Sequence, residues 1–365
     1  MTATLDLFEG LLERRLEASD LYFASESRRL AELCRTMAER FERGGRLLAV
    51  GSSPQGWSDA HHVAVEFVHP VIVGKRALPA LAVDPGAVDV LRRADDMVIS
   101  FEPLTILAGD EWILEPVDDD PFVRQELAET AYHCLWELVH VFFEHLGSSS
   151  AGAGASGFLY PFLSTEDHDL DAVVEDVRSS VELKATETAE LRERTLVGSR
   201  EALVAAGATV RRALDEGGTL FAFGNGGSAT DAMDLVADLR AAPPIGNRAW
   251  PSRRALDLTG NSAILSALAN DIGPNALYSR QLIAYGRPGD VAVALSTSGG
   301  SANIVEALVE ARRRGLATSA FVGYDGGRIA AEALADHVIV SPSEYIPRIQ
   351  EAQASAYHLL RELVG

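Results

Sequence analysis

The feature that most restricts the fold is the segment Leu220-Phe-Ala-Phe-Gly-Asn-Gly-Gly-Ser-Ala-Thr-Asp231. Its four leading apolar residues are typical of a buried parallel strand, Gly224–Ser228 indicate a tight turn, and a helix is expected over Ala229–Arg240. A glycine-rich turn at a helix N-terminus directs several backbone N–H groups to one spot, where the helix dipole adds positive potential. The segment predicts an α/β fold, with either an anion site or an ordinary strand-to-helix connection at this turn.

A second segment, Val291-Ala-Val-Ala-Leu-Ser-Thr-Ser-Gly-Gly-Ser-Ala-Asn303, repeats this design. A buried strand is expected over Val291–Leu295 and a helix over Ala302–Arg314. Hydroxyl groups crowd the glycine pair between them, and together with free helix N–H groups they can surround a phosphate without lysine or arginine. Since open α/β sheets bind ligands at the carboxyl ends of their strands, both turns are candidate ligand loops.

Composition excludes some function classes. The formal net charge is −21, which argues against binding to nucleic acid or to anionic membranes, because no basic field would attract phosphate polymers. Cys34 and Cys134 belong to no CxxC pair, so we expect buried thiols and no cysteine zinc site. The N-terminal residues show no secretion-signal pattern and no apolar run reaches membrane-spanning length, so we expect a cytoplasmic protein.

The 365 residues are enough for two domains. Gly147–Gly157 contain only glycine, serine and alanine, so we expect a linker there, between domains at 1–146 and 158–365. Helical periodicity over 4–43 predicts two helices that end at Gly44-Gly45. Two more helices are expected before Gly217-Gly218.

The two parts of the chain share an internal repeat. Each has a Gly-Gly pair before a short apolar strand, and each has an Asp-Ala pair in the following helix. In each, a Gln-Glu pair is followed by Tyr-His at the same spacing. The matching elements are Gly44-Gly45 and Gly217-Gly218, Asp59-Ala60 and Asp231-Ala232, Gln125-Glu126 and Gln350-Glu351, and Tyr132-His133 and Tyr357-His358.

Several motifs resemble those of phosphoheptose isomerases in the sugar isomerase (SIS) domain family, in that family's order. They are Gly224–Ser228, Asn270-Asp271, Ser296–Asn303, and Arg348–Glu351 with His358. The resemblance covers about residues 200–365. Together with the repeat, it implies two tandem SIS domains, each a parallel sheet flanked by helices in a flavodoxin-like or Rossmann-like three-layer fold, the first degenerate. It also implies a homodimer, whose two chains provide four SIS domains.

The resemblance implies a sugar phosphate as ligand. The positions that match the family's substrate-binding residues are Asn225, Gly226, Gly227, Ser228, Asn270, Asp271, Ser296, Thr297, Ser298, Ser301 and Gln350.

In the family, the helix after the glycine loop carries a histidine and a glutamate four residues apart, and the glutamate acts as the base. Here Asp234 and Asp238 stand at those positions. The resemblance implies Asp238 and His358 as catalytic residues, and Asp234, Asp238, Gln350 and His358 as ligands of a divalent metal such as zinc. No nucleotide cofactor is expected. Aspartate is shorter than glutamate by about 1.5 Å, and Asp234 and Asp238 can also be read as simple helix acids.

The first part of the chain has the opposite pattern. His62 and Glu66 keep the family's histidine–glutamate spacing, so His62, Glu66, Gln125 and His133 form an alternative metal set. Its strands are followed by Ser52–Gly56 and by Glu102-Pro103-Leu104, which do not reproduce the phosphate loops. One hypothesis is a shared site in which Glu66, with His62, acts on a sugar held by the second domain. The other is a structural role for both residues.

The leading functional prediction is an aldose–ketose isomerase that acts through an enediol. The resemblance implies conversion of sedoheptulose 7-phosphate to a mannoheptose 7-phosphate. The alternative is a non-catalytic module that binds a sugar phosphate or a protein such as a replication initiator, as some relatives of phosphoheptose isomerase do. A third reading is an amino-sugar phosphate isomerase, since those enzymes also have tandem SIS domains.

Overall fold

A computed structural model describes residues 2–72, 74–145 and 170–365. The chain divides into two compact units that interleave in sequence. Unit 1 contains Met1–Leu12, Asp119–Glu126 and Thr188–Gly365, and unit 2 contains Glu13–Asp118 and Leu127–Glu187. The linker predicted at 147–157 lies outside the described residues. No helix in the described ranges is both long enough and apolar enough to cross a membrane.

The α-helices of the described ranges are α1 Thr2–Glu42, α2 Pro54–Val68, α3 Val88–Leu91, α4 Pro121–His145, α5 Leu170–Gly198, α6 Arg200–Asp215, α7 Gly227–Ala241, α8 Ser262–Asp271, α9 Ser279–Tyr285, α10 Ala302–Arg313, α11 Gly327–Ala331 and α12 Ile346–Val364. The strands are β1 Leu47–Val50, β2 Ala80–Ala82, β3 Met97–Ser100, β4 Thr105–Ala108, β5 Asp110–Ile113, β6 Leu220–Phe223, β7 Ala255–Asp257, β8 Val291–Ser296, β9 Ala317–Gly323 and β10 His337–Ser341.

Unit 1 contains a fully parallel sheet with strand order β7-β6-β8-β9-β10. Strands β6 and β8 are buried along their whole length, as their continuous apolar runs predict. From β6 the chain first extends the sheet towards β7 and then returns to the other side at β8. The order therefore changes direction between these strands, and ligands bind at the carboxyl ends of such a pair in open α/β sheets.

The glycines after β6 are required by backbone geometry. A Cβ atom on Gly224 would lie 2.2 Å from the carbonyl oxygen of Ser228, so any side chain there would collide with the backbone. Gly226 has a φ of +58°, in the left-handed region that favours glycine. The chain can therefore reverse within Gly224–Gly226, and α7 begins at Gly227.

Unit 2 has a sheet of strand order β2-β1-β3-β4-β5. Strands β1, β2 and β3 are parallel, whereas β4 and β5 are antiparallel to their neighbours. The expected parallel sheet is therefore present as β2-β1-β3, and two antiparallel strands that were not predicted extend it. A parallel neighbour needs a crossover of about a dozen residues or more, and the short connection Phe101–Leu104 allows only a hairpin.

The same hydrogen-bond pattern aligns two strands in each sheet. Before β3, Asp96 accepts bonds from the backbone N–H groups of Arg46 and Arg93, each at 2.9 Å. Before β8, Asp290 accepts bonds from the N–H groups of Thr219 and Arg287, each at 2.8 Å. In both sheets the aspartate joins the start of the first strand to the start of the third, which agrees with the repeat seen in sequence.

The two helices predicted over 4–43 are one helix, α1. Gly10 is its single glycine, and a glycine inside a helix costs only about 1 kcal/mol relative to alanine. That cost is too small to end a helix that packs along its length. The two helices predicted before Gly217 are present as α5 and α6. Cys34 and Cys134 are buried free thiols, as expected.

Candidate functional site

The loops after β6 and β8 are joined by a pair of amides. Asn225 Nδ2 donates to Asn303 Oδ1 at 3.0 Å, and Asn303 Nδ2 donates back to Asn225 Oδ1 at 2.8 Å. Tyr278 holds the loop after β6, because its hydroxyl donates a hydrogen bond to the carbonyl oxygen of Gly224. The two predicted ligand loops therefore lie side by side at the end of the sheet.

The serine loop is ordered by its own hydroxyl groups. Ser296 Oγ accepts from the N–H of Gly299 at 3.2 Å, and Ser298 Oγ accepts from the N–H of Gly300 at 3.3 Å. Ser301 occupies the N-cap position of α10, but its side chain makes no capping hydrogen bond. The first N–H groups of a helix have no intrahelical acceptor. This loop therefore has the hydroxyl and N–H donors that a phosphate needs.

The other predicted substrate residues have different surroundings. Asn270 and Asp271 lie at the exposed end of α8, where Asn270 Nδ2 donates to Asp271 Oδ1 at 2.7 Å. Ser228 is buried in the first turn of α7, and Gln350 is buried on α12. Thr297 is half-buried between the loop serines. Their roles in substrate binding remain predictions.

A buried cluster of two acids and one histidine lies further along α7. Asp234 and Asp238 are four residues apart on one face of α7, and His358 approaches them from α12. His358 Nε2 is 3.3 Å from Asp234 Oδ2 and 3.5 Å from Asp238 Oδ2. One potential ligand atom from each residue lies within 4.8 Å of the others. These residues were predicted together from the sequence, and the structure brings them together.

The first two turns of α4 complete this cluster. Glu126 Oε1 accepts a hydrogen bond from His358 Nδ1 at 2.9 Å, and Gln125 Nε2 donates to Asp234 Oδ1 at 2.9 Å. The ring of Phe122 stacks on the His358 ring with centroids 4.8 Å apart. Glu126 was not predicted as a site residue. The available signal was its place in the repeated Gln-Glu pair.

Glu126 is itself held by polar neighbours. Ser355, one turn before His358 on α12, donates a hydrogen bond to Glu126 Oε2. Arg192 donates to Ser355 Oγ at 2.9 Å and to the Glu126 carbonyl oxygen at 3.3 Å, and all of these side chains are buried. The orientation of the Glu126 carboxylate is therefore fixed from several sides.

The environment of His358 favours its charged form. Burial by itself lowers the pKa of His358, but hydrogen bonds with Asp234 and Glu126 and the nearby carboxylate charges raise it to about 10. At neutral pH the ring is therefore an imidazolium that can donate a proton from Nε2. A carboxylate on Nδ1 is also the usual arrangement around a histidine that binds a metal through Nε2.

Unit 2 contains a second buried cluster. His62 Nε2 and His133 Nε2 are 3.3 Å apart, and Glu129 contributes an oxygen within 4.8 Å of both. Glu66 Oε1 lies 3.9 Å from His62 Nε2. The alternative metal set predicted Gln125 at this place, but Gln125 contacts Asp234 in unit 1. Glu129, one helical turn later, occupies the position instead.

In the turn between β1 and α2 of unit 2, the carboxylate of Glu102 occupies the position where an anion would otherwise bind. Glu102 accepts hydrogen bonds from the Ser53 hydroxyl and from the Ser53 N–H, the latter at 3.3 Å. Ser53 is the N-cap residue of α2, so Glu102 lies where an anion would bind a helix N-terminus. A second negative group would be repelled there, in agreement with the prediction that this half has no phosphate loop.

Comparisons with known proteins identify relatives of this chain. A family model of the SIS domain matches residues 185–323. The phosphoheptose isomerase of Paramagnetospirillum magneticum is 40% identical over 175 residues, which are 45% of this chain and 88% of that protein. The phosphoheptose isomerase of Thermodesulfovibrio yellowstonii is 37% identical over 155 residues, or 42% of this chain and 75% of that protein.

A solved structure extends the likeness to both sheets. The C-terminal domain of glucosamine-fructose-6-phosphate aminotransferase from Francisella tularensis matches 98% of this chain and 94% of its own, with a TM-score of 0.53 and 12% identity. At that identity the match shows the fold alone. The sequence matches fall on part of the chain, whereas the fold match covers nearly all of it.

Proposed function

Because the chain belongs to the SIS domain family, with phosphoheptose isomerases among its relatives, we propose that it is a sugar-phosphate isomerase that interconverts an aldose and a ketose through an enediol. The substrate we propose is sedoheptulose 7-phosphate or a similar sugar phosphate, after the names of those relatives.

The observation that carries this proposal is the arrangement of groups along α7. The helix begins at the glycine loop and carries Asp234 and Asp238 on one face. At 1.5 Å per residue, Asp234 lies about 10 Å along the helix from its first residue. A phosphate at the loops and reactive carbons near the acids then fit one extended sugar phosphate, and the fixed phosphate sets which carbons meet the acids.

In this proposal, Asp238 removes the proton from the carbon next to the carbonyl group, and His358 supplies a proton to the oxygen. A carboxylate and an imidazolium are suited to these roles. Asp234, Asp238 and His358 also form a two-oxygen, one-nitrogen donor set that would suit a divalent ion such as zinc, with Gln350 as the further predicted ligand. Such an ion would take Nε2 of a neutral His358, so it is an alternative to the proton-donor role of this ring and does not act together with it. Such an ion, when bound, would polarise the sugar's oxygen atoms.

A second candidate is supported by the burial of the cluster. Asp238 and His358 have no exposed surface; Glu126 and Phe122 of α4 contact His358, and Gln125 contacts Asp234. A substrate carbon reaches them only after local opening. In the alternative, the loops bind a sugar phosphate without turnover, and the cluster only stabilises unit 1. The homodimer predicted from the sequence remains a prediction under both candidates.

Proton exchange separates the two candidates. NMR of the protein with sedoheptulose 7-phosphate in deuterated water should show deuterium at C1 or C2, because an enediol exchanges its carbon-bound proton with solvent. Asp238→Asn should lower this exchange by about 100-fold or more while leaving phosphate affinity intact, since the amide cannot accept the proton. Asp171→Asn, at an exposed acid of α5, is the matched control.

Glu66→Gln tests the shared-site hypothesis in the same assay. Loss of exchange in Glu66→Gln with full exchange in Asp238→Asn would assign the base to Glu66. Absence of exchange in the wild-type protein, with calorimetric binding of the sugar phosphate, would contradict the isomerase and support the binding module.

A further inference from the structure

A third loop lies beside the serine loop, at the same edge of the sheet in unit 1. It is the segment Gly323–Gly327, which ends β9 and begins α11, and we call it the β9–α11 loop. The N–H of Gly323 donates to the carbonyl oxygen of Thr297 at 3.0 Å. A Cβ atom on Gly327 would lie 2.3 Å from the carbonyl oxygen of Ser298, so the two backbones are in direct contact. The β9–α11 loop therefore borders the candidate phosphate site.

Tyr324 of this loop has a backbone conformation that is unusual for an aromatic residue. Its φ is +53°, in the left-handed region. Glycine enters this region freely, whereas the Cβ atom of a larger residue makes it unfavourable, and a bulky residue there is an outlier. A glycine at this position would avoid the strain, so the presence of a tyrosine needs another explanation.

Contacts within unit 1 do not offset this strain. Tyr324 is 37% exposed and lies outside the hydrophobic core that packs on the sheet. Its N–H donates to the carbonyl oxygen of Ser343 at 3.0 Å, but any residue except proline can make that bond. Among the residues that the structure describes, the Tyr324 ring and hydroxyl group have no ring, ionic or hydrogen-bond partner. Residues held in strained conformations cluster at functional sites, where the strain serves a ligand or a reaction.

The tyrosine side chain complements the groups already present at this edge of the sheet. The serine loop presents N–H and hydroxyl groups, which suit a phosphate. Tyr324 adds an apolar ring face and one hydroxyl group that can both donate and accept a hydrogen bond. A sugar carbon chain has C–H groups that can pack on such a ring and hydroxyl groups that can bond to the phenol, whereas inorganic phosphate has no carbon chain.

We propose that Tyr324 is a specificity-determining residue, which contacts the carbon chain of a sugar phosphate whose phosphate group is bound at the serine loop. This inference rests on the proposed function, because it needs a sugar phosphate at that loop. It assigns a role to a residue outside the motifs that the sequence identified. It also explains why a strained tyrosine is present at a position where glycine would be more favourable.

Calorimetry on one variant separates the two parts of the ligand. Asparagine adopts left-handed backbone more readily than most other residues, so Tyr324→Asn should keep the loop conformation while removing the ring. The affinity for sedoheptulose 7-phosphate should fall by about tenfold, whereas the affinity for inorganic phosphate should stay unchanged. Equal loss for both ligands, or no loss for either, would overturn the proposal.

The matched control is Ala333→Asn. It makes the same replacement at a residue with a φ of +48°, which precedes β10 and so lies at the opposite edge of the sheet. Both affinities should stay at their wild-type values in this variant.

A second measurement uses the unaltered chain. The ring NMR signals of Tyr324, assigned by their absence from Tyr324→Phe, should shift when sedoheptulose 7-phosphate is added, and by less with inorganic phosphate. The signals of Tyr285, which is 43% exposed and lies before β8, should not move. Binding of the sugar phosphate without a shift at Tyr324 would overturn this inference alone. A wild-type chain that does not bind the sugar phosphate would refute the proposed function together with it.

Discussion

At the scale of single residues, the sequence predicted the groups that lie within recognisable motifs. Asp234, Asp238 and His358 were chosen by position, and they meet in one buried cluster. Glu126 and Glu129 were not chosen, because their contacts come from helix packing. Glu126 and His358 are 232 positions apart, and no local pattern predicts such a pair. Whether Gln125 or Glu129 lies beside His62 and His133 depends on which face of α4 is turned towards these residues, and the sequence does not show this.

Glu126 should make stability depend on pH through His358. The folded-state pKa of His358 is about 10, above its ordinary value of 6.5. A raised histidine pKa gives stability that is fully present below about pH 6.5 and is lost as the pH rises through 10. In metal-free protein, Glu126→Gln should therefore lower the Tm most at pH 6, and the difference from the wild type should shrink towards pH 10.

The control for this experiment is Glu190→Gln, at an exposed glutamate of α5. It should leave the Tm difference near zero at every pH. A Tm difference for Glu126→Gln that stays constant from pH 6 to pH 10 would contradict the charged pair with His358.

At the scale of elements, prediction succeeded where structure is set by neighbouring residues. The strand, glycine turn and helix at 220–241 form as predicted, because Gly224 and Gly226 permit a turn that other residues would block. The hairpin of β4 and β5 was not predicted. Its short apolar runs do not reveal strand direction, which depends on the pairing partner. The same limit applies to α1, whose continuity depends on what it packs against.

The serine loop leads to a prediction at this scale. Ser298→Asp should weaken the affinity for a sugar phosphate by at least 100-fold, because it places a negative charge among the donors at the start of α10. Isothermal calorimetry with sedoheptulose 7-phosphate, or with inorganic phosphate, measures the effect. Ser179→Asp adds the same charge at an exposed position of α5 and should bind normally. Equal affinity in a folded Ser298→Asp chain would exclude this loop as the phosphate site.

At the scale of the whole molecule, the sequence predicted the α/β class and one sheet in each half of the chain, and both sheets are present. It did not predict that the compact units interleave. Asp119–Glu126 belong to unit 1 although the rest of α4 belongs to unit 2. A domain boundary predicted from composition divides the sequence at one position, whereas a compact unit is defined by which residues pack together. The predicted boundary and the boundary of the compact unit agree only when no helix or strand is divided between the units.

The interleaving leads to a prediction about fragments. A chain limited to residues 158–365 lacks Gln125 and Glu126, the partners of Asp234 and His358. Removing one partner of a buried ion pair costs about 3–5 kcal/mol, a large share of the stability of a typical domain. The fragment should aggregate or melt well below the full chain in calorimetry. Adding residues 1–146 as a separate chain should restore solubility, and a fragment as stable as the full chain would contradict this assignment.

Helix α4 also affects how this protein can change over generations. Of the two halves, the first has turns that no longer suit a phosphate, and a half without ligand loops is usually free to drift or to be deleted. The start of α4, however, holds His358 of the other half in place through Glu126. If His358 is needed for function, a change that removes Glu126 from α4 also disturbs His358, so the two helices are expected to change together. A part of the chain without ligand loops of its own would then be retained for the contacts that it makes with His358.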